Sequence, residues 1–307
     1  MQVVIKTVTT KIFMVLVLGL LIAGTSPLAA QDEKAAEEFN KGVDAEAAGN
    51  TAEAVTAYQA AIAADSTFAS PFYNLGVIYY SQKKFGDALK MFERVTELEA
   101  DNLDAWKNMG LSATETGSLS KGEKAFTEAL RIEPNDPELT EAFAMLFYKN
   151  NAYKRAISKF EDLVKLKNQD KKTFYALGKS YKEAGNDEQA IVNLQSATKI
   201  DPKYQMAYFE LGNVYLANEN WSKAINNYNQ SVELDPGHYQ SWFNLGSACV
   251  GESTEDSIIR AYEAYTKFLA LTKGKGGSQI RSMRKSASGI VDQLVDYFDQ
   301  AGIPYDE

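Results

Sequence analysis

The sequence contains too few of several residue types for most kinds of functional site. Its 307 residues include one cysteine and one histidine, which excludes an intramolecular disulfide and a zinc site of the Cys/His type. The net charge of −9 argues against broad nucleic-acid binding, since that needs a basic surface to replace phosphate counterions. No P-loop, GxSxG, HExxH or GxGxxG motif is present. We therefore expect no catalytic residue, no metal and no cofactor.

The amino terminus has the order of a secretory signal peptide. Lys6 and Lys11 precede an unbroken apolar run over residues 12–23, and helix breakers and small residues follow it. The run is too short to span a bilayer of ~30 Å comfortably at about 1.5 Å per residue. We therefore predict a signal peptide over residues 1–30, cleaved after Ala30, and a periplasmic or secreted protein. The alternative is an uncleaved segment that tethers the protein to the membrane.

The rest of the sequence repeats itself at one constant period. Five similar stretches, such as "FYNLGVIYY" and "WFNLGSACV", carry glycines on a grid of about 34 residues, with one grid point skipped between the second and the third glycine. These are Gly76, Gly110, Gly178, Gly212 and Gly246. Gly42 and Ala144 lie on the same grid, so we predict seven units after a short lead at 31–34. The units span residues 35–68, 69–102, 103–136, 137–170, 171–204, 205–238 and 239–271.

Each unit has the same internal order of landmarks. A small residue follows the glycine by 12 positions, as at Ala88, and an aromatic such as Phe92 follows four later. Several units end on proline, as at Pro202. These residues resemble the tetratricopeptide repeat over about residues 35–271. The resemblance implies an all-α fold, a right-handed α-α superhelix (solenoid) of seven helix-turn-helix units. Apolar residues at i, i+3, i+4 and i+7 within each half-unit independently predict paired amphipathic helices.

Two units depart from the pattern. Gly122 stands where alanine is expected, so we expect the second helix of the third unit to fray. In the seventh unit the late landmarks, beginning with Ala261, come three residues after their usual place. We therefore expect a lengthened turn within residues 250–257.

A further segment follows the seventh unit. A glycine-rich linker over residues 272–278 precedes an amphipathic stretch at 279–301 and a tail at 302–307. We interpret the stretch as a helix that covers the exposed end of the last unit, as terminal repeats require. The alternative is a helix that binds a partner, because basic residues around it could contact an acidic protein.

The resemblance also implies a concave groove lined by the first helix of each unit, mainly at unit positions 2, 5, 9 and 12. Position 5 is aromatic in five of the seven units, and aromatic rings are good anchors for an extended segment or a helix of a partner. The competing interpretation is that some of these rings pack between units. The predicted partner-binding groove comprises Phe39, Tyr73, Val77, Tyr80, Lys107, Leu111, Glu141, Met145, Tyr148, Tyr175, Lys179, Phe209, Asn213, Phe243 and Ser247.

Cys249 and His238 are eleven residues apart, and a Cys–His pair can form a nucleophilic site. Along a helix that separation is about 16 Å, too far for a hydrogen bond. Cys249 also holds the unit position that Tyr79 and Tyr215 hold elsewhere, so we predict that it lies in the core.

We therefore predict a non-catalytic adaptor or scaffold of the cell envelope that binds an unidentified protein or peptide partner. The alternatives are an enzyme, such as a hydrolase of envelope polymers that uses acids of the groove, and a structural subunit that assembles into a homo-oligomer.

Overall fold

The computed structural model describes residues 27–166 and 170–305, with side chains described from residue 32 onward. Over these residues it contains 15 α-helices and no strand, which confirms the prediction of an all-α fold. Residues 1–26 of the predicted signal peptide lie outside the described residues, and the backbone of its last four positions begins the first helix.

The helices follow one another in hairpin pairs, with a long last helix that has no pair. In the described part of the chain, three-residue turns such as residues 82–84 separate the two helices of most pairs. The helices are α1 (Pro27–Ala47), α2 (Thr51–Ala64), α3 (Ala69–Ser81), α4 (Phe85–Leu98), α5 (Leu103–Thr116), α6 (Leu119–Ile132), α7 (Pro137–Lys149), α8 (Tyr153–Lys165), α9 (Lys171–Glu183), α10 (Asp187–Ile200), α11 (Gln205–Ala217), α12 (Trp221–Leu234), α13 (Tyr239–Glu252), α14 (Glu255–Leu271) and α15 (Ser278–Ala301).

One packing contact explains the repeated glycine. A Cβ atom at Gly212 would lie 2.5 Å from a ring carbon of Tyr228, which stands on the paired helix of the same hairpin. In the fifth unit the side chain of Leu194 takes the place of the ring, 2.7 Å from the Cβ position of Gly178. Since contacts this short force something to shift, the glycine and the large side chain that follows it form one close helix–helix contact.

The chain also divides into two compact parts, which we call the amino-terminal body (up to Pro71) and the main body (from Phe72). In the first, α1 packs against α2, and the buried ring of Tyr58 lies against Gly42. The Tyr58 hydroxyl donates a hydrogen bond to the Glu46 carboxylate at 2.6 Å.

In the main body each hairpin packs against the next, as α4 does on α5 and α12 does on α13. The first helices of successive repeats also contact each other at α5–α7, α9–α11 and α11–α13. The Asn108–Tyr73 hydrogen bond joins α5 to α3, and the Lys179–Tyr148 contact joins α9 to α7, so the first helices lie side by side on one face of the main body. We call the surface that α3, α5, α7, α9, α11 and α13 form the groove face.

The expectations about the two irregular units are wrong. Helix α6 runs over its full 14 residues, because the Leu146 side chain of the next helix fills the space beside Gly122. The seventh unit has no longer turn, since only Ser253 and Thr254 separate α13 from α14. The added residues instead lengthen α14 to 17 residues, against 14 in α12. Its new first turn begins with a capping box, in which Thr254 accepts a hydrogen bond from the Ser257 amide at 3.2 Å.

Helix α15 packs its apolar face against the seventh unit. Ala287 and Phe298 are buried, and Met283 and Ile290 pack against a cluster centred on the α14 aromatics. The Phe298 ring meets the Tyr262 ring of α14 edge-on, with centroids 5.7 Å apart. Among the helices that the structure describes, none is both long enough and apolar enough to cross a bilayer.

Candidate functional site

Four aromatic rings lie on the groove face at position 5 of their repeats. Tyr73, Tyr175, Phe209 and Phe243 are all half-buried. Each meets another ring edge-on, at centroid distances of 5.7 Å to Phe92, 5.3 Å to Tyr204, 4.7 Å to His238 and 5.1 Å to Phe268. These partner rings come from the second helix of the same repeat or from the residue before the next repeat. Each groove ring is therefore held by at least one neighbouring ring and keeps part of its surface accessible.

The amino-terminal part of the groove face is mostly apolar. Tyr73 is fixed further by Asn108, whose side-chain amide donates to the tyrosine hydroxyl at 3.1 Å. Val77 and Tyr80 are half-buried, and burial raises the pKa of the Tyr80 hydroxyl. Leu111 is buried, so it belongs to the floor of this surface more than to its open side.

Charged side chains occupy position 5 in the third and fourth units. The Lys107 ammonium lies 3.1 Å from the carboxylate of Glu138, which is 74% exposed. Glu141 is half-buried, and burial raises the pKa of its carboxyl. Met145, one turn further along α7, packs against the hydrophobic core of the main body.

A cation surrounded by acceptors lies in the middle of the groove face. The Lys179 ammonium is 5.5 Å from the centroid of the Tyr175 ring and 6.0 Å from that of Tyr148. It is also 3.5 Å from the Glu210 carboxylate, which accepts a hydrogen bond from Lys182 at 2.7 Å. This set of contacts joins side chains of α7, α9 and α11.

The pKa shifts in this cluster favour the charged forms. Burial alone would raise the pKa of Glu210, but the hydrogen bond and charge of Lys182 outweigh it and hold that pKa below its ordinary value. Burial alone would lower the pKa of Lys179, but Tyr175 and Glu210 hold it above its ordinary value. Burial raises the pKa of the Tyr175 hydroxyl to about 12. At neutral pH the cluster thus holds two ammonium groups, one carboxylate and the neutral hydroxyl of Tyr175.

Amide groups extend this polar network toward the carboxyl end. Asn213 donates to Glu210 at 3.2 Å, and its oxygen accepts from Tyr228 at 2.8 Å and from Asn244 at 2.9 Å. In the seventh repeat, the hydroxyl of Ser247 on α13 lies 3.0 Å from that of Tyr265 on α14, and the ring of Tyr265 also packs against Phe243.

Phe39, the predicted groove residue of the first repeat, lies within the amino-terminal body. It is half-buried, and its ring packs against Tyr58 and Phe68, with centroids 5.7 Å and 5.1 Å away.

Cys249 and His238 form no nucleophilic pair. Cys249 is fully buried, and burial raises the pKa of its thiol to about 12, so the reactive thiolate is scarce at neutral pH. The His238 imidazole contacts the hydroxyl of Ser241 at 2.7 Å, and burial lowers its pKa. No group of three His, Cys, Asp or Glu side chains that could hold a metal occurs within the described parts of the chain.

The sequence reasoning missed unit position 6. Asn108, Glu210 and Asn244 hold this position, and each one contacts a predicted groove residue. The available signal was an asparagine that recurs at this position in four of the seven units, at Asn40, Asn74, Asn108 and Asn244. In the last three it stands directly before the apolar residue that precedes the repeat glycine.

Comparisons with known proteins identify one repeat family. A family model described as TPR repeat matches residues 47–83 and 178–219. Two models described as tetratricopeptide repeat match residues 73–137 and 205–238. No curated protein is significantly similar in sequence to this chain.

Several solved structures have a similar fold. The C-terminal part of a TPR repeat-containing protein from Cytophaga hutchinsonii is 18% identical, with a TM-score of 0.63 over 80% of this chain and 98% of that one. A tetratricopeptide repeat protein from Parabacteroides merdae is 16% identical, with a TM-score of 0.57 over 83% and 99%. PilW, a type IV pilus biogenesis factor, is 14% identical, with a TM-score of 0.55 over 70% and 97%. At these identities the similarity concerns the fold alone.

Proposed function

Because the chain belongs to the tetratricopeptide repeat family, we propose that it is a non-catalytic adaptor or scaffold of the cell envelope. Its work is to hold a segment of a partner protein on the groove face. The export half of this proposal rests on the signal-like amino terminus, with its lysines, apolar run and small residues.

The row of half-buried rings on the groove face supports the part of the proposal that concerns binding. Tyr73, Tyr175, Phe209 and Phe243 stand on four different first helices. Because each ring is already held by a second ring, it loses little conformational freedom when a partner covers it. Aromatic residues that are rigid and partly exposed are the usual anchors of protein interfaces.

The polar network between the rings supports selective binding. Lys179 and Lys182 share the Glu210 carboxylate, Lys182 also lies 3.4 Å from Glu183, and each lysine side chain remains about one quarter exposed. The N–H groups that face solvent can bind acceptor groups of a segment whose apolar side chains contact the rings. Rings then supply most of the affinity, and the polar groups restrict which segments fit.

Site-specific photo-crosslinking tests this proposal. A photoreactive phenylalanine analogue replaces Tyr73, Tyr175 or Phe209 in the full chain, and the protein is irradiated in the envelope of its own cells. The controls replace Trp221, a half-buried aromatic at the start of a second helix, and Tyr297, an exposed aromatic on α15.

The proposal predicts that one protein crosslinks from all three groove positions and from neither control. Equal adducts from the groove and control positions would contradict groove binding. Catalytic turnover in a panel of envelope-polymer substrates, abolished by Glu141→Gln alone, would favour the enzyme alternative instead.

A further inference from the structure

A surface of positive charge lies where α14 ends and α15 begins. Between Glu263 and Asp292 the chain has six cations and no acid, although its net charge is −9. Five of the six are exposed, and none of these five forms an ion pair within the described residues. We call this set the basic end surface: Lys267, Lys273, Lys275, Arg281 and Lys285.

The sixth cation holds the elements of this surface together. The Arg284 guanidinium donates to the Leu269 carbonyl at 2.6 Å and to the Thr272 hydroxyl at 2.9 Å. These bonds tie the first turns of α15 to the end of α14. Arg281 and Lys285 are four residues apart on α15, so their side chains are neighbours on one helix face.

The stability of α15 does not explain these charges. Cations near the amino end of a helix oppose its dipole, and α15 has no acid in its first turn. Helix α14, in contrast, begins with Glu255 and Asp256. Lys267, Lys273 and Lys275 lie at the carboxyl end of α14, where the helix dipole favours cations. Arg281 and Lys285 lie unpaired in the first two turns of α15, so the dipole of neither helix explains them.

The basic end surface borders the last repeat of the groove face. The Lys275 ammonium is 5.1 Å from the centroid of the Tyr239 ring. Tyr239 lies one turn before Phe243 on α13, and Phe243 is the last of the four groove rings. A segment that runs along the rings therefore reaches these cations when it passes the seventh unit.

We propose that the partner segment is acidic at the end that leaves the groove face at the seventh unit, where its carboxylates contact the basic end surface. This inference rests on the proposed function, because the same segment places its apolar side chains on the rings. The charge contact sets the direction of the segment and speeds its association. A short acidic stretch fits better than an anionic bilayer or a nucleic acid, because those extended polyanions would also face the excess acids of the chain.

Selection from a randomised 15-residue peptide library tests the inference on the full chain. Four proteins are used: wild type, the end variant Lys275→Glu/Arg281→Glu/Lys285→Glu, the groove variant Phe209→Ala, and a charge-matched control. The control is Lys154→Glu/Lys199→Glu/Lys203→Glu, which reverses three exposed cations that form no ion pair in the described residues. Circular dichroism confirms folding, and glutamine versions replace any glutamate variant that unfolds.

Wild type and control are expected to select peptides with aromatic or aliphatic residues followed by Asp or Glu. The end variant is expected to keep the apolar preference and lose the acids. A selected peptide, fluorescein-labelled and titrated by anisotropy, is expected to bind the end variant about tenfold more weakly than the control, since each exposed charge contact contributes a factor of about 1.4 to 5. Higher salt is expected to reduce that difference.

Every other outcome contradicts this inference, the proposed function or both. Identical selections by wild type and end variant, with apolar preference lost in the groove variant, overturn the inference and leave the proposed function standing. Acidic selection that is unaffected by the groove variant overturns groove binding, and with it this inference about the segment. No selection from any protein overturns both. Tighter binding of single-stranded DNA or of phosphatidylglycerol vesicles to wild type than to the end variant, without peptide selection, replaces the protein segment by another polyanion.

Discussion

The Glu210 cluster offers a sharp energetic test because its carboxylate is buried and its partners are known. Glu210 is 5% exposed, and it accepts hydrogen bonds from Lys182 at 2.7 Å and Asn213 at 3.2 Å. Glu210→Ala removes the shared counter-ion of two lysine side chains that are each about one quarter exposed, and Lys182 keeps only Glu183, at 3.4 Å. Removing one partner of a fully buried pair costs about 3–5 kcal/mol. Because the lysines retain contact with water, we expect a loss of about 2 kcal/mol in the free energy of unfolding.

A double-mutant cycle with Lys182→Met isolates the pair. Urea unfolding of wild type, both single variants and the double variant gives the coupling energy, which we expect to be about 1–2 kcal/mol. The pair Lys107–Glu138 is the internal control, at 3.1 Å but with Glu138 74% exposed. Its coupling energy is expected to be about 0.2–1 kcal/mol. Equal coupling energies for the two pairs would refute the argument that burial decides the strength of the Glu210 cluster.

The same cluster predicts the sign of a pH effect. The pKa of Glu210 is lower in the folded chain than its ordinary 4.5, so its carboxylate stabilises the fold above that pH. This contribution is lost as the pH falls through the lowered value, because the carboxylate is then protonated. The difference in unfolding free energy between wild type and Glu210→Gln should therefore shrink below about pH 4.5 and stay constant between about pH 6 and 8. A difference that grows on acidification would contradict the assignment.

Three further predictions concern packing and reactivity. Gly212→Ala is expected to lower the unfolding free energy by about 1–3 kcal/mol in urea titrations, since its Cβ would lie 2.5 Å from a ring carbon. Gly289→Ala, with nothing within 4 Å of its Cβ position, is expected to raise the unfolding free energy by up to about 1 kcal/mol. The opposite order would disprove the glycine–ring contact. Cys249 is expected to resist a maleimide at pH 7 in the native protein and to react in concentrated urea, as mass spectrometry would show; rapid native labelling would mean that the thiol is accessible. Tyr175→Ala is expected to cost about 1–2 kcal/mol, because its ring packs edge-on to Tyr204, and unchanged denaturation would mean that the ring is fully free.

The fold was predictable because its defining contact is local in the sequence. Gly110 and Phe126 belong to the same unit and touch within one hairpin, so the pattern of one repeat carries the geometry of that hairpin. The offset in the seventh unit was less informative. Three extra residues fit into a loop or into a helix, and at about 3.6 residues per turn they leave the buried face of a helix almost unchanged. They lie in α14, where the capping box that begins at Thr254 makes a helix start possible without a longer turn.

The candidate site was predictable only in part. Repeat register indicates which side chains share the groove face, but it does not indicate which of them pair. Lys179 and Glu210 lie on the first helices of two successive repeats, so their contact depends on how one repeat stacks on the next. Repeat register also predicted that Leu111 lies in the groove with the exposed residues, whereas its side chain is buried in the core of the main body. The Lys179–Glu210 contact and the burial of Leu111 both depend on the distance and angle at which successive repeats stack. The sequence pattern of a single repeat does not specify that distance or that angle.

The positions that define the repeat and the positions that can define a partner are therefore different. The glycines and the rings that cover them recur because each hairpin needs the same close contact, so they cannot distinguish one partner from another. Lys179, Glu210 and Asn213 do not recur at their unit positions, and they form a connected network across two repeats. Stability is spread over all repeats as local and neighbouring terms, whereas these polar side chains are concentrated in the fifth and sixth. Under the proposed function, a change there alters the donors available to a partner segment while the glycine–ring contacts of the other hairpins stay intact.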